Sequence, residues 1–535
     1  MKSTEDIELT FAQAEQGGTG NDFTATTTSS IKDDNTLMRL GKTPVLKRTF
    51  GFMAVLGFSC TVLITWEGAL VVFTSALLNG GTAGVIWSFL VDWLGTLSVF
   101  SAIAEIASMA PVAGGQYHWV AMMAPPKYRA FFSYITGWAT VCGWLALCSS
   151  NSYLIAGLFE YLIIIFNPDY SPQPWHTVLF YWSVLAFSLT VNAMSSKALA
   201  RFEGTIFIVH LFGFFLVLVP LVYFGPKGDT SIFTTFFNGG GWQTQALSFF
   251  VGMPGLGFAL FGADSTVHMS EEICNAAMAV PQSLVFSLII NGSLGFIMMT
   301  CTMYVIGDLD AILTAIEAGE SPVLLIFQQA VRSQTGAVLM YVIILIMACA
   351  CTIGCFASAS RMLWSFARDR AVPFSSWLSK LSRQSVPLRS LALNCFISML
   401  LSLILLGSSV GFSDLVNLTV ACLYSSYLLA TGFLLWTRLA GRISPHDPDA
   451  RIRPGNLHWG PWKIPEPFGL LNNIFACSYL VLVFFWSFWP AAREVTPSTM
   501  NYNVLIYGVM VSFAIIWYFA RARHYYTGPI VETAM

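Results

Sequence analysis

The chain has 535 residues, of which 56% are hydrophobic and 15% aromatic but only 10% charged, against roughly 25% charged in an average soluble domain. That charge supply is too small to coat the surface of a soluble protein this long, so the composition predicts a polytopic protein whose surroundings are the lipid bilayer. A formal net charge of -2 predicts no nucleic-acid partner.

Residues 1–46 are polar and rich in Thr, Ser, Gly and Asp, and predict a disordered tail. The first apolar run lacks a short basic start and comes too late for a secretory signal. From there, runs long enough to cross a hydrocarbon layer of about 30 Å, roughly 20 helical residues, are expected near 50–75, 83–110, 131–165, 176–195, 203–224 and 244–270. Six more follow near 282–306, 336–366, 389–407, 412–437, 471–490 and 501–520. The third and eighth are overlong and predict tilt, a kink or a flanking helix.

Span one contains VLGFSCTVLITWEG at 55–68, with Gly57, Phe58 and Ser59 near its middle and Trp66 and Glu67 in its outer half. A desolvated carboxylate beside an indole suits a cationic substrate, combining charge with a cation–π contact; pairing of Glu67 with a neighbouring helix, or a place in the outer vestibule, is the competing reading. Phe58, Phe261 and, in span three, Tyr153 are candidates for an aromatic lining. Span six contains GMPGLGFALFGADST at 252–266, and Asp264, His268 and Glu271 or Glu272 follow at helical spacing. On a continuous helix these would share one face over about 12 Å. Asp264, directly after Gly262, reads either as an intramembrane acid facing a central cavity or as an N-cap of the second half of a broken helix. Ser270 reads as an N-cap, and Glu271 and Glu272 as first-turn acids of a short helix ending before Pro281. His268 reads as a packing histidine or a proton carrier.

The cluster Cys349, Cys351 and Cys355 in span eight reads as small apolar packing rather than a metal site. Asn417, in the triplet NLT, falls inside span ten, which argues against glycosylation. Of the 26 Lys and Arg, all but Lys227, Arg332 and Arg493 fall on one side if the N-terminus is cytosolic. This split predicts both termini in the cytosol. Spans one to five and six to ten then start on opposite sides, at offsets of about 194 to 213 residues. An inverted repeat of five predicts a substrate site near the midplane, on helices broken in corresponding places. The glycine-interrupted segments at 57–61 and 261–264 are the expected breaks. Ordinary close packing by small residues is the competing reading. The expected organisation is a tail at 1–46, five-helix sets at 47–224 and 244–437, a basic loop at 438–470, two more spans within 471–520 and a tail at 521–535.

Three segments carry a family resemblance. SAIAEIASMAPVAGGQYHW at 101–119 resembles the cytosolic end of the second helix in the amino acid, polyamine and organocation transporter superfamily. ASRMLWSFARDRAVPFSSWLSKLSRQSVPLRS at 359–390 is similar to its eighth-helix exit and basic loop. GADSTVHMSEEICNAAMAVPQS at 262–283 resembles the fungal branch that includes choline and gamma-aminobutyrate permeases. The resemblance implies an all-α, twelve-helix, leucine-transporter-like fold of five plus five inverted helices with two extra. It also implies secondary active transport by alternating access, usually with proton coupling, in the plasma membrane of a fungal cell, the vacuolar membrane being the alternative. Lys2 and Lys32 in the tail are candidate retrieval signals.

In related transporters a basic residue on helix five stands in for a sodium ion, a role for which His210 is the candidate because an imidazole binds and releases protons in the physiological range; a satisfied core histidine is the competing reading. A sodium site would instead need carbonyls at the first break and helix-eight hydroxyls, for which Ser358 and Ser360 are available. Glu105 is expected to pair with Arg361 or Arg368 and to gate the cavity. Many permeases of the superfamily have a Gly-x-Gly-type stretch in helix one whose N–H groups hold a substrate carboxylate. The sequence here reads GFSCT at 57–61, and with Glu67 and Asp264 it points to a substrate defined by its amine: choline, gamma-aminobutyrate, an amino acid or a polyamine. The rival classes are a non-transporting nutrient sensor and an exporter of a specialised metabolite. An enzyme is not expected, since no nucleophile–base pair, metal-ligand spacing or nucleotide loop is found, and no cofactor is implied.

Overall fold

The computed structural model describes residues 32–167, 169–194, 196–317, 321–407, 410–450, 453–497 and 500–532. Eleven helices among them are long and apolar enough to cross a membrane. In chain order the long helices are α1 (Phe52–Val72), α2 (Thr74–Met109), α3 (Arg129–Phe166), α4 (Pro174–Asn192), α5 (Ser196–Phe224) and α6 (Gln245–His268). They continue as α7 (Ala276–Tyr304), α8 (Gln334–Arg368), α9 (Leu388–Leu406), α10 (Val410–Leu439), α11 (Phe468–Trp486) and α12 (Asn503–Ala520). The one outside the eleven is α4, a 19-residue helix whose Trp175, His176, Tyr181 and Trp182 lower its hydropathy. Each of the twelve expected spans therefore has its helix.

Long helices α3 and α8 run unbroken for 38 and 35 residues, so their excess length is continuous helix and not a flanking element. The non-helical residue is instead in α2, at Gly81 (φ 67°, ψ -166°). Central packing places α2 along α6 and α7, and α3 along α8 and α10. Small residues allow the approach: a Cβ on Gly137 would lie 2.3 Å from Phe366, and one on Gly143 2.7 Å from Leu423. Membrane helices gain association energy from such contacts, because burial from lipid offers no hydrophobic gain. At the periphery, only 11% of the most apolar window of α12 is buried; its exposed Val509, Phe513 and Ile516 form a surface suited to lipid.

Residues 32–46 correct the expectation of a disordered tail, whose first 31 residues, Lys2 included, lie outside the described residues. Residues 32–39 are helical, Leu37 is buried in the main core, and the Asp33 carboxylate accepts from the backbone N–H groups of Asn275 and Ala276 at 2.6 and 3.1 Å. Phe50 pairs with Ile273 as an isolated parallel bridge. The other tail folds back on the same end of the bundle: Ile530 N–H donates to Asp369, Glu532 N–H donates to the Gly41 carbonyl, and Tyr526 is buried. A two-stranded parallel pair, Ile443–Ser444 with Leu457–His458, lies in the loop before α11. Two short helices, Leu309–Glu317 and Pro322–Val331, separate α7 from α8.

Candidate functional site

Two helices are broken, and the breaks meet. In α1 the first half ends at Leu63, Ile64 takes a left-handed conformation (φ 34°, ψ 47°), and a second half starts at Thr65. A β-branched residue pays roughly 1–3 kcal/mol to sit there. Local bonds hold it: Ile64 N–H donates to Cys60 and Gly68 N–H to Ile64, while Asn291 of α7 accepts from the Thr65 N–H at 3.4 Å. In α6 the helix tightens to a 3-10 turn at Phe258–Leu260, Phe261 is extended (φ -80°, ψ 154°), and Gly262 adopts φ 104° before a last turn at Ser265–His268. A Cβ on Gly262 would lie 2.8 Å from Val62, and one on Gly68 3.5 Å from Ala259. Gly262→Ala therefore adds both backbone strain and a clash at the crossing. The expected result is a melting temperature several degrees lower and at least tenfold slower transport, read by thermal unfolding of the purified protein and by uptake.

Between the breaks lies a cavity of about 50 Å³ lined by Val62, Leu63, Ile64, Glu67, Gly68 and Phe261, with Asn151 of α3 and Cys351 of α8 across from them. Small-molecule pockets commonly measure roughly 300–1,000 Å³, so this conformation is closed down to room for a few waters, and a substrate needs the helices to part. The strongest charge in the lining is Glu67, fully buried. Its Oε1 lies 2.8 Å from Nδ1 of His210 on α5, and its Oε2 has no partner among the described residues. A carboxylate oxygen at membrane depth with nothing to bind is costly, and an incoming cation removes that cost. Asn151 donates to the sulfurs of Cys351 and Cys355 at 3.5 Å, and the Cys351 thiol donates to the Val62 carbonyl at 3.1 Å.

The structure relocates several expected residues. Gly57, Phe58 and Ser59 lie within the intact first half of α1, so the break is not at 57–61 but at Ile64. A Cβ on Gly57 would lie 3.4 Å from Phe207, which makes this glycine a packing residue between α1 and α5. Phe58 packs on Phe50, and Ser59 bonds to Ser287 at 2.8 Å. The Trp66 indole faces His210 and Phe214 rather than the cavity, and Tyr153 packs against the main core outside the lining. Asp264 occupies the N-cap position without a capping bond, and does not line the cavity. It accepts instead from Gln116 at 2.9 Å and lies 3.6 Å from His268, whose Nδ1 bonds to the Ala113 carbonyl at 2.9 Å. Ser358 and Ser360 bond to the backbone carbonyls of Gly354 and Ala357.

The acid stripe is also rebuilt. The helix stops at His268, a 3-10 turn covers Ser270–Glu272, and Pro281 sits inside α7 rather than beyond a short helix. Ser270 is not an N-cap there. Glu271 and Glu272 are buried partners of α8: Arg368 bonds to both oxygens of Glu271 at 3.0 and 3.1 Å, and Arg361 to Glu272 at 2.8 Å. With those arginines taken, Glu105 pairs with Arg438 of α10 at 2.7 Å and accepts from the Ile464 N–H at 3.0 Å. Lys42–Asp369 and Arg368–Glu532 complete an ion-pair layer that joins both tails to α8.

Two buried carboxylates within the expected spans escaped the sequence reading. Glu203 of α5 accepts from Thr61 of α1, and its Oε1 has no partner among the described residues. Asp92 of α2 accepts from Tyr479 at 2.9 Å, and Tyr479 bonds to Tyr424, whose ring packs on Phe261 at the α6 break. Both are acidic residues within expected spans, the same signal that singled out Glu67. Glu203 was masked by its position at the start of span five, and Asp92 by the lack of a nearby glycine break.

Residues 50–511 match a family model described as amino acid permease. An uncharacterized amino-acid permease of Schizosaccharomyces pombe is 27% identical, over 95% of this chain and 91% of that protein. A choline transporter of Saccharomyces cerevisiae is 26% identical, over 88% and 81% respectively. An amino-acid permease of Arabidopsis thaliana is 24% identical, over 92% and 95%.

Proposed function

The chain belongs to the amino acid permease family, and from that premise we propose that it imports a small solute recognised through its cationic nitrogen, together with protons moving down their gradient. The observation that carries this reading is the unpartnered Oε2 of buried Glu67, in a cavity between two helix breaks. The names of the relatives, amino-acid permease and choline transporter, share one charged group, an ammonium; a carboxylate is absent from choline. The candidates are choline, gamma-aminobutyrate, an amino acid and a polyamine.

The substrate ammonium takes Glu67 Oε2, and His210 on Oε1 is the proton-carrying partner. The five-plus-five inverted repeat supplies alternating access: the halves of α1 and α6 swing about Ile64 and Phe261–Gly262, and the ion-pair layer at the tail-bearing end closes the inner side. The excess of Lys and Arg at that end supports a cytosolic location for both termini, and the plasma membrane is the proposed site of action. The test is uptake of labelled choline, gamma-aminobutyrate, a polyamine and a neutral amino acid in transporter-deficient cells at two external pH values, with and without a protonophore. We expect one of these to accumulate against its gradient, faster at the lower pH and collapsing when the gradient is dissipated. A correctly inserted protein that accumulates none of them would sink the assignment.

A further inference from the structure

The tail-bearing end holds a second and much larger cavity, of about 1,100 Å³, separated from the site between the breaks. Three distant parts of the chain wall it: residues 32–41 of the N-terminal segment, residues 446–449 with 453–461 of the loop before α11, and residues 527–531 of the C-terminal tail. The short helix Gln116–Met123 and the start of α3 form its floor. Such a cavity exists only while both tails are docked.

Its charge is unbalanced. Lys32, Arg39, Arg129 and Arg453 line it against two acids, Asp447 and Asp449, and Asp447 already accepts from the backbone of Asp449 at 2.9 Å. At the same end Lys42, Arg48, Arg361, Arg368 and Arg438 each have a carboxylate within 4 Å. The four in the cavity have no such partner among the described residues. Arg129 Nε is buried without a hydrogen bond, as is Nδ1 of His118, a floor residue only 5% exposed. Burial, with the positive Lys42 nearby, holds the His118 imidazole down to about 3, so it offers a neutral ring nitrogen to a ligand.

We propose that this cavity binds a polyphosphorylated anion, either the headgroup of a phosphoinositide in the surrounding leaflet or its soluble inositol phosphate counterpart. Guanidinium forks match phosphate oxygens in pairs, and basic pockets at the cytosolic membrane surface suit such headgroups. The cavity is too large for a single small ion and has the breadth of a substituted ring. Because residues 527–531 form one wall and Glu532 binds Arg368, a ligand here favours the docked tail and so the closed ion-pair layer. The choice of a phosphoinositide rests on the proposed cytosolic orientation; the site itself does not.

The experiment uses the purified full chain in nanodiscs of phosphatidylcholine, with or without a few per cent phosphatidylinositol 4,5-bisphosphate. Inositol 1,4,5-trisphosphate and inorganic phosphate are titrated in solution, and hydrogen exchange is followed at 32–41 and 527–531. We expect slower exchange in both segments on binding, and at least tenfold weaker binding in Arg129→Gln/Arg453→Gln. The opposite-wall pair Lys32→Gln/Arg39→Gln should show the same loss, while Lys227→Gln/Arg332→Gln binds as wild type. Protection only in phosphoinositide nanodiscs identifies the lipid, and saturable binding of inositol trisphosphate in plain nanodiscs identifies the soluble ligand. No protection by any probe, or binding unchanged in both cavity variants, overturns the proposal. None of these readouts requires transport, so the result stands apart from the substrate assignment.

Discussion

Glu67→Gln is expected to lower uptake of a cationic substrate at least 100-fold in kcat/KM while leaving surface expression and melting temperature nearly unchanged. The substitution keeps the side chain's shape and an oxygen able to accept from His210, so the contact seen at 2.8 Å survives in neutral form. What disappears is the negative charge available to an ammonium at a buried site. A factor of 100 corresponds to about 2.7 kcal/mol of lost stabilisation, which is within the range for removing one partner of a buried charged contact. Glu67→Asp, which keeps the charge but shortens the reach, should retain part of the activity. Uptake of the same labelled solutes measures both. Wild-type rates in a well-expressed Glu67→Gln protein would eliminate the carboxylate as the recognition group.

Twelve spans, the preference for helices one and six as the broken pair, and the break at Gly262 were legible because each rests on a one-dimensional signal. Apolar length gives a span, and a glycine at φ 104° is a residue type demanded by its conformation. The break in α1 was not legible for the complementary reason. Nature placed a β-branched residue, Ile64, in the left-handed region, while the nearby glycine serves helix contact with Phe207; composition pointed to Gly57, seven residues early. The ion pairs failed differently. Glu105, Glu271 and Glu272 were each visible as acids near the membrane surface, but which arginine meets which acid depends on how α8 and α10 rotate against α2 and α6. Arg438, far off in sequence, reaches Glu105 before Arg361 or Arg368 can. The N-terminal segment was misread as tail down to residue 46 because its anchoring is tertiary: Asp33 has value only beside the free N–H groups of Asn275 and Ala276.

The second large effect is expected at the ion-pair layer. Arg361 and Glu272 are both about 1% exposed and bonded at 2.8 Å, and Arg361 also bonds to the Ala357 carbonyl and the Ser360 hydroxyl. Arg361→Met leaves the Glu272 carboxylate buried and unpaired, at a cost of about 3–5 kcal/mol; the protein should melt several degrees lower and lose most of its transport. Glu272→Gln should be milder, because Arg361 keeps its two other acceptors and Gln still offers an oxygen. Arg361→Met/Glu272→Gln removes both charges and should recover about 1–3 kcal/mol relative to the sum of the single changes. Simple additivity in thermal unfolding would show that the two side chains are not energetically joined. The same double variant separates scaffold from gate. If the layer only holds the fold together, restored stability brings restored uptake. If it must break and re-form in each cycle, as proposed, the neutral pair closes less firmly. Preloaded substrate then leaks out several-fold faster than from wild type even though the melting temperature has recovered.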